Sequence, residues 1–419
     1  MTGEAASDGM ITRRCALTLA GSAALSACAP RDSNRVTWWA MGTTGENAPI
    51  LLPPFTRTTG IDVDLQAVPW TGAHEKLLTG FAGGSLPDVM MLNTGWLPEL
   101  NLLGALTAPP PALLTGHLPG ANAAVMIAGR ACAVPWTADS WVQFYRRDLI
   151  AEVGYPAPPL DWAEWTRMAQ AIVRRHPDRF ATLHLLDWPE PLFAYAAQTG
   201  EPFLRDRAGR GNFRSPGFRA ALAFYKRVFD LKLSPRATGA EAGDTYIGLR
   251  RGWFAILPSD AVFIGDARRP EHRIVPGTWG AAATPGPRGA GAAMARGTCL
   301  AVSRTARDPA AAWRLVAFLT GADLQRQIFG ITGDLPTRSR AWTMLPPDPV
   351  TRLFATQIAD SVAPPAVPEW ARITSEVQQV AEAMVRGRFG VDAAAAEMDA
   401  RVDRILAKRR WLLDRGRIT

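Results

Sequence analysis

The chain has 419 residues, of which 47% are hydrophobic and 20% charged, with a formal net charge of +8. That length exceeds a usual single domain and the apolar share fills more than one core, which excludes a disordered or fibrous chain and predicts two lobes. The positive excess is almost wholly arginine, with Lys76, Lys226, Lys232 and Lys408 as the lysines; spread along the chain in this way, it argues against a nucleic-acid partner.

In chain order, the first signal is a leader. Arg13 and Arg14 precede an apolar, small-residue run, Ala16 to Ala24, too short to span a bilayer. Leu25, Ser26, Ala27 and Cys28 follow, a string that resembles the lipobox cut by lipoprotein signal peptidase. The expectation is a signal peptide over 1–27, a lipidated Cys28 and a tether over 28–35, which makes the protein extracytoplasmic and membrane-anchored. An ordinary secretory leader with a chance cysteine is the alternative. Thr12, Arg13, Arg14 and Leu17 also resemble a twin-arginine signal, but Ala16 stands where that signal prefers an aromatic, so the export route is left open.

Val36 to Ala40 reads as a buried strand that opens into a loop at Gly42, Thr43, Thr44 and Gly45. Ile61 to Val68 alternates as a second strand, a helix follows from about Ala73 to Ala82, and Pro87 and Asp88 lead into an apolar strand from Val89 to Leu92. Strand, helix, strand in that order predicts parallel α/β pairing. Asp161 with Glu164 caps a helix over 162–175. Ser215 before Pro216 and Asp308 before Pro309 start two more, the second expected to turn Trp313, Val316, Ala317 and Leu324 toward a sheet. Helices are also expected over 375–385 and 392–413, the latter ending in a basic cluster read as a solvated helix end or a headgroup contact. Proline clusters at 108–112, 345–349 and 363–368 mark extended connections.

Together these segments resemble the family 1 extracellular solute-binding proteins of ABC importers. The residues that carry the likeness are ACAVPWTADSWVQFYRRDLIAEVGYPAPPLDWAEW at 131–165, FAGGSLPDVMML at 81–92, GTCLAVSRTARDPAAAWRLVAFLTGADLQ at 297–325 and GITGDLPTRSRAW at 330–342, four motifs in the family's order. The resemblance implies an α/β, two-lobed periplasmic-binding-protein-like fold of type II. The N-terminal lobe would hold 36–136 and 300–342, the C-terminal lobe 140–297 and 346–419, with the ligand in the interlobe cleft at strand carboxyl ends. It further implies a monomer that takes a small-molecule ligand, a sugar or oligosaccharide, and delivers it to ABC permease subunits with their cytoplasmic ATPase. A glycerol-phosphate-type or polyamine ligand is the alternative.

On that match the cleft-facing positions are Trp39, Thr43 and Thr44 after the first strand, and Asn93, Thr94 and Trp96 after the Pro-Asp strand. Trp136, Thr137 and Asp139 lie on the first crossing; Trp253, Asp260, Trp279, Arg296, Gly297 and Thr298 belong to the second lobe and its return; Trp370 would close the far side. The chain carries 15 Trp against 5 Tyr, and an indole face suits the C–H face of a pyranose, although each Trp has core packing as its alternative. Asp139 can accept sugar hydroxyls at charge-assisted strength or form a hinge salt bridge. Arg296 can bind a hydroxyl or an anion in bidentate fashion. Once Cys15 leaves with the leader and Cys28 is lipidated, the match sets Cys132 and Cys299 on neighbouring strands, as a disulfide or as two buried thiols. No Gly-x-Ser-x-Gly, His-Glu-x-x-His or Cys-x-x-Cys motif is present, so neither an enzyme nor a metal or other cofactor is expected; an exported glycosidase with two carboxylates is the competing class.

Overall fold

The computed structural model describes residues 34–418; the leader and Cys28 lie outside them. The two main sheets contain eleven strands: β1 Arg35–Met41, β2 Asp62–Val68, β3 Val89–Asn93, β4 Leu106–Thr107, β5 Val134–Asp139, β6 Val142–Arg146, β7 Phe180–Thr182, β8 Phe254–Ser259, β9 Trp279–Ala282, β10 Arg296–Ser303 and β11 Leu335–Pro336. The larger sheet runs β11-β5-β10-β3-β1-β2, with β4 also on β10, and the smaller runs β9-β6-β8-β7. The expected parallel unit is present, since β1 pairs in parallel with both β2 and β3. The chain passes from the first sheet to the second between Asp139 and Val142 and returns between Ala282 and Arg296.

Each sheet organises a large core, and a smaller third cluster packs Leu335 of the first sheet and Phe329 on Phe144 and Phe254 of the second. In β1 the alternate residues Val36, Trp38 and Ala40 are buried, and Trp38 meets Trp136 of β5 edge to face, ring centroids 5.6 Å apart. This core also takes in β3, β10 and the helix Pro309–Leu319. The second core joins β6 and β8 to the helices Trp162–Arg175, Pro216–Asp230, Trp370–Val385 and Val391–Ile405. Caps predicted from sequence hold these helices: Asp161 accepts from the backbone N–H of Ala163 and Glu164, Ser215 from Phe218 and Asp308 from Ala311. No helix among the described residues is long and apolar enough to cross a membrane.

Three local expectations differ from the structure. Gly42–Asn47 forms a short helix instead of a loop, because Thr44 is buried and donates from Oγ1 to Asp334. The Pro309–Leu319 helix buries Ala311, Ala312, Leu315, Val316 and Leu319, leaving Ala317 exposed, because these five residues form the face that packs into the first core. The last helix is two, Val391–Ile405 and Ala407–Asp414, separated at the buried Leu406.

Cys132 and Cys299 are buried free thiols, not a disulfide. Register explains it: Cys299 lies opposite Pro135, three residues along from Cys132, whose thiol donates to Asn101 Oδ1 at 3.2 Å. Burial raises the pKa of both thiols. Counting thiols on residues 29–419, denatured without reductant, is expected to return both; loss of both would establish a bridge.

Candidate ligand cleft

A cleft of about 410 Å³ opens between the two lobes. The first lobe supplies Trp70 and His74 from the helix Trp70–Ala82 and Asn93 to Trp96 from the end of β3; the second supplies Trp141, Glu190, Phe193, Trp370 and Thr374; Met294 to Arg296, on the return crossing, line it between them. Its volume falls in the range of small-molecule sites.

Aromatic packing sets the shape. Trp70 and Trp96 tilt against each other at 5.7 Å, and the His74 ring stacks on Trp96 at 5.2 Å while its Nε2 lies 2.8 Å from Glu99 Oε2. Asn93 fixes the turn that carries Trp96 by accepting the Gly95 N–H at 2.8 Å. Gly42, at φ +54°, brings the first loop so close to Trp70 that a Cβ there would stand 2.5 Å from the indole. Across the opening, Trp370 packs edge-on against Phe193 at 5.4 Å, and Trp141 against Trp188 at 5.7 Å.

Charge is concentrated at one point. The Arg296 guanidinium lies 5.5 Å from the Trp141 ring centroid, with Glu190 Oε1 at 3.5 Å and Asp139 Oδ2 at 3.9 Å. Burial works against its charge, but Glu190, Asp139 and Asp260 outweigh burial and hold its pKa above the ordinary arginine value. Asp139 accepts the backbone N–H of Ser140 at 2.8 Å and of Ala261 at 3.3 Å. Burial first, then the Asp260 carboxylate, raise its pKa well above the usual range.

Of the residues predicted from sequence, Asn93, Thr94, Trp96, Arg296 and Trp370 line the cleft. Asp139 and Asp260 stand behind Arg296, so Asp139 occupies the hinge salt bridge that was its alternative reading. Thr44 is spent on Asp334, and the carbonyl of Thr43 on Asn47. Trp136 is fully buried and donates from Nε1 to Leu319 O. Thr137 and Thr298 hydrogen-bond each other at 2.7 Å where Gly297 lets β5 and β10 approach. Trp39 packs on the first core beneath Lys76.

Trp253 and Trp279 lie at the wrong end of their sheet. Trp253 precedes β8, whose Ser259 end faces the hinge, and Trp279 pairs with Arg146 at the far end of β6; they pack on Phe180 and on Phe144 with Phe263. Sequence reading missed Trp70, His74, Trp141, Glu190 and Phe193. Trp70 carried a usable signal, since it closely follows the predicted strand ending at Val68, and Trp141 stands just after the positions placed on the first crossing; Glu190 and Phe193 sit on a helix with no such mark.

Residues 37–326 match the bacterial extracellular solute-binding protein family. The structure is similar to that of the sugar-binding protein MalE from Xanthomonas citri, at 36% sequence identity and a TM-score of 0.80, over 91% of this chain and 99% of that one. The GacH receptor of Streptomyces glaucescens shares the fold at 21% identity and a TM-score of 0.81, over 89% and 98%. A putative binding protein of Brucella abortus is 22% identical over 83% of this chain and 87% of its own length. The chain therefore belongs to the family 1 extracellular solute-binding proteins of ABC importers.

Proposed function

We propose that the protein captures a neutral sugar or oligosaccharide between its two lobes and delivers it to the permease of an ABC importer without chemical turnover. The observation that carries this reading is the pairing of an aromatic wall, Trp70, Trp96, Trp141 and Trp370, with a single compensated ion pair, Arg296 and Glu190. Indole faces cover the apolar C–H faces of pyranoses, while the carboxylate and guanidinium take hydroxyls at charge-assisted strength. The likeness to the Xanthomonas citri sugar-binding protein supports the same ligand class.

The charge arrangement disfavours the other ligands. A phosphate must compete with Glu190 and Asp139 for Arg296, and a polyamine finds one lining carboxylate, Glu190, already paired. The lobe assignment that accompanies this reading, 36–136 with 300–342 against 140–297 with 346–419, draws support from the two large cores, which are distinct, with a third cluster joining Phe329 and Leu335 to Phe144 and Phe254 across the hinge and Arg296 and Gly297 belonging to the first sheet. Closure then favours the liganded state because both lobes touch the ligand. The lipid on Cys28 would keep the receptor near its permease at high local concentration.

Titration of intrinsic tryptophan fluorescence tests the ligand class. A saturable change with one or more neutral sugars is expected, with recovery of the sugar unaltered. A saturable response confined to glycerol phosphates or polyamines would overturn the assignment, and hydrolysis of the sugar would overturn the pure binding role.

A further inference from the structure

The Ala407–Asp414 helix is held to the second lobe by one side only. Leu413 is buried against Gly209, and Arg410 donates to the Gly209 carbonyl at 3.0 Å. The opposite side is exposed: Lys408 and Trp411 stand three residues apart on one face of this helix, with the exposed Arg415 just past its end and the exposed Arg404 near the end of the preceding helix. Trp411 is 51% exposed, with the Arg415 guanidinium 4.1 Å from its ring centroid.

From Arg404 to Arg417 six cations, Arg404, Lys408, Arg409, Arg410, Arg415 and Arg417, stand against the single carboxylate of Asp414. Among the described residues only Arg410 of the six has an acidic partner within 4 Å, Asp403 at 3.8 Å. Helix stability does not account for the arrangement. Lys408, Arg409 and Arg410 occupy the first turn, where the dipole disfavours cations, and Asp414 closes the last turn, where it disfavours anions.

We propose that this face is a docking surface for an anionic lipid bilayer. Unpaired cations are attracted to a negative headgroup layer, and an exposed tryptophan flanked by arginine is suited to the interface between headgroups and acyl chains. The reading rests on the proposed lipid anchor only for the nearness of a membrane.

The test uses the unlipidated chain, residues 29–419, so failure of the anchor leaves it intact. Co-sedimentation is measured with phosphatidylcholine vesicles and with vesicles containing about one third phosphatidylglycerol. The chain is expected to pellet with the anionic vesicles only, and less as salt rises. The double variant K408E/R415E should partition at least about tenfold less. Trp411→Ala, which keeps every charge, should lose a few-fold. A charge-matched control on the first lobe, R57E/R326E at exposed positions that have no acidic partner within 4 Å among the described residues, should change little. Equal losses in the two double variants would mean diffuse attraction by net charge and overturn the proposal, as would equal binding to neutral vesicles. Unchanged partitioning of K408E/R415E with impaired uptake in cells would assign the face to a protein partner instead and overturn the lipid docking.

Discussion

Asp88→Ala is expected to destabilise the first lobe by about 3–5 kcal/mol, the scale for breaking a buried, multiply bonded charge. Its carboxylate is 5% exposed and sits where three strands must stay in register. Oδ2 accepts from the Thr37 backbone N–H at 2.8 Å and the Thr37 hydroxyl at 2.7 Å, both on β1; Oδ1 accepts the Arg307 backbone N–H at 2.9 Å, and Arg307 Nη2 donates to Oδ2 at 3.1 Å. Removing the side chain leaves these donors without acceptors in a place water reaches poorly. Most of the loss comes from the Thr37 and Arg307 N–H groups, since the Arg307 guanidinium is half exposed and screened. Thermal unfolding at neutral pH should fall by on the order of 10 °C.

The pH dependence has a definite sign. Burial raises the Asp88 pKa, but the bonds from Thr37 and Arg307 together lower it below its ordinary 3.8. A carboxylate with a depressed folded pKa stabilises above the unfolded value and loses that contribution as pH falls through the folded one. The gap between wild type and variant should therefore be full at neutral pH and narrow only below about pH 4. An unchanged melting temperature at neutral pH would show that the strands hold register without Asp88.

The same residue shows what sequence could and could not reveal. The Pro87-Asp88 turn before an apolar run was legible, and so was the parallel unit around it, because alternation, capping residues and glycine turns are local signals. The bonds from Asp88 to Thr37 and Arg307 were not, because they join positions 51 and 219 residues apart. The cleft divides in the same way. Asn93, Thr94 and Trp96 were found because they follow a strand that could be seen to end. Trp253 and Trp279 were placed there wrongly because a tryptophan beside a strand does not say which end of the sheet faces the hinge. Glu190 was invisible because only the folded chain sets it beside Arg296.

That juxtaposition carries the largest expected effect on binding. Arg296→Ala is expected to weaken affinity for the sugar that answers the titration by about 2–3 kcal/mol, roughly 30- to 150-fold in Kd. Two losses add. A direct contact disappears, and Asp139, now without its cation, is left facing the Asp260 carboxylate while Glu190 loses its partner. Arg296→Lys should recover only part, since an ammonium cannot face both acids and lie over the Trp141 ring as a guanidinium does.

A second readout separates the two losses. Asp139 already has a raised pKa, and removal of Arg296 takes away the strongest influence holding it down. A carboxylate whose folded pKa is raised is most penalised above that pKa and is relieved as pH falls through it. The stability deficit of Arg296→Ala should therefore shrink on moving from neutral toward acid pH, while the missing ligand contact keeps affinity low throughout. A deficit independent of pH would remove the carboxylates from the account, and unchanged affinity would remove Arg296 from the site. If both effects appear, Arg296 joins the lobes as well as the ligand: it belongs to β10 of the first sheet, and it answers to Glu190 on a helix of the second lobe.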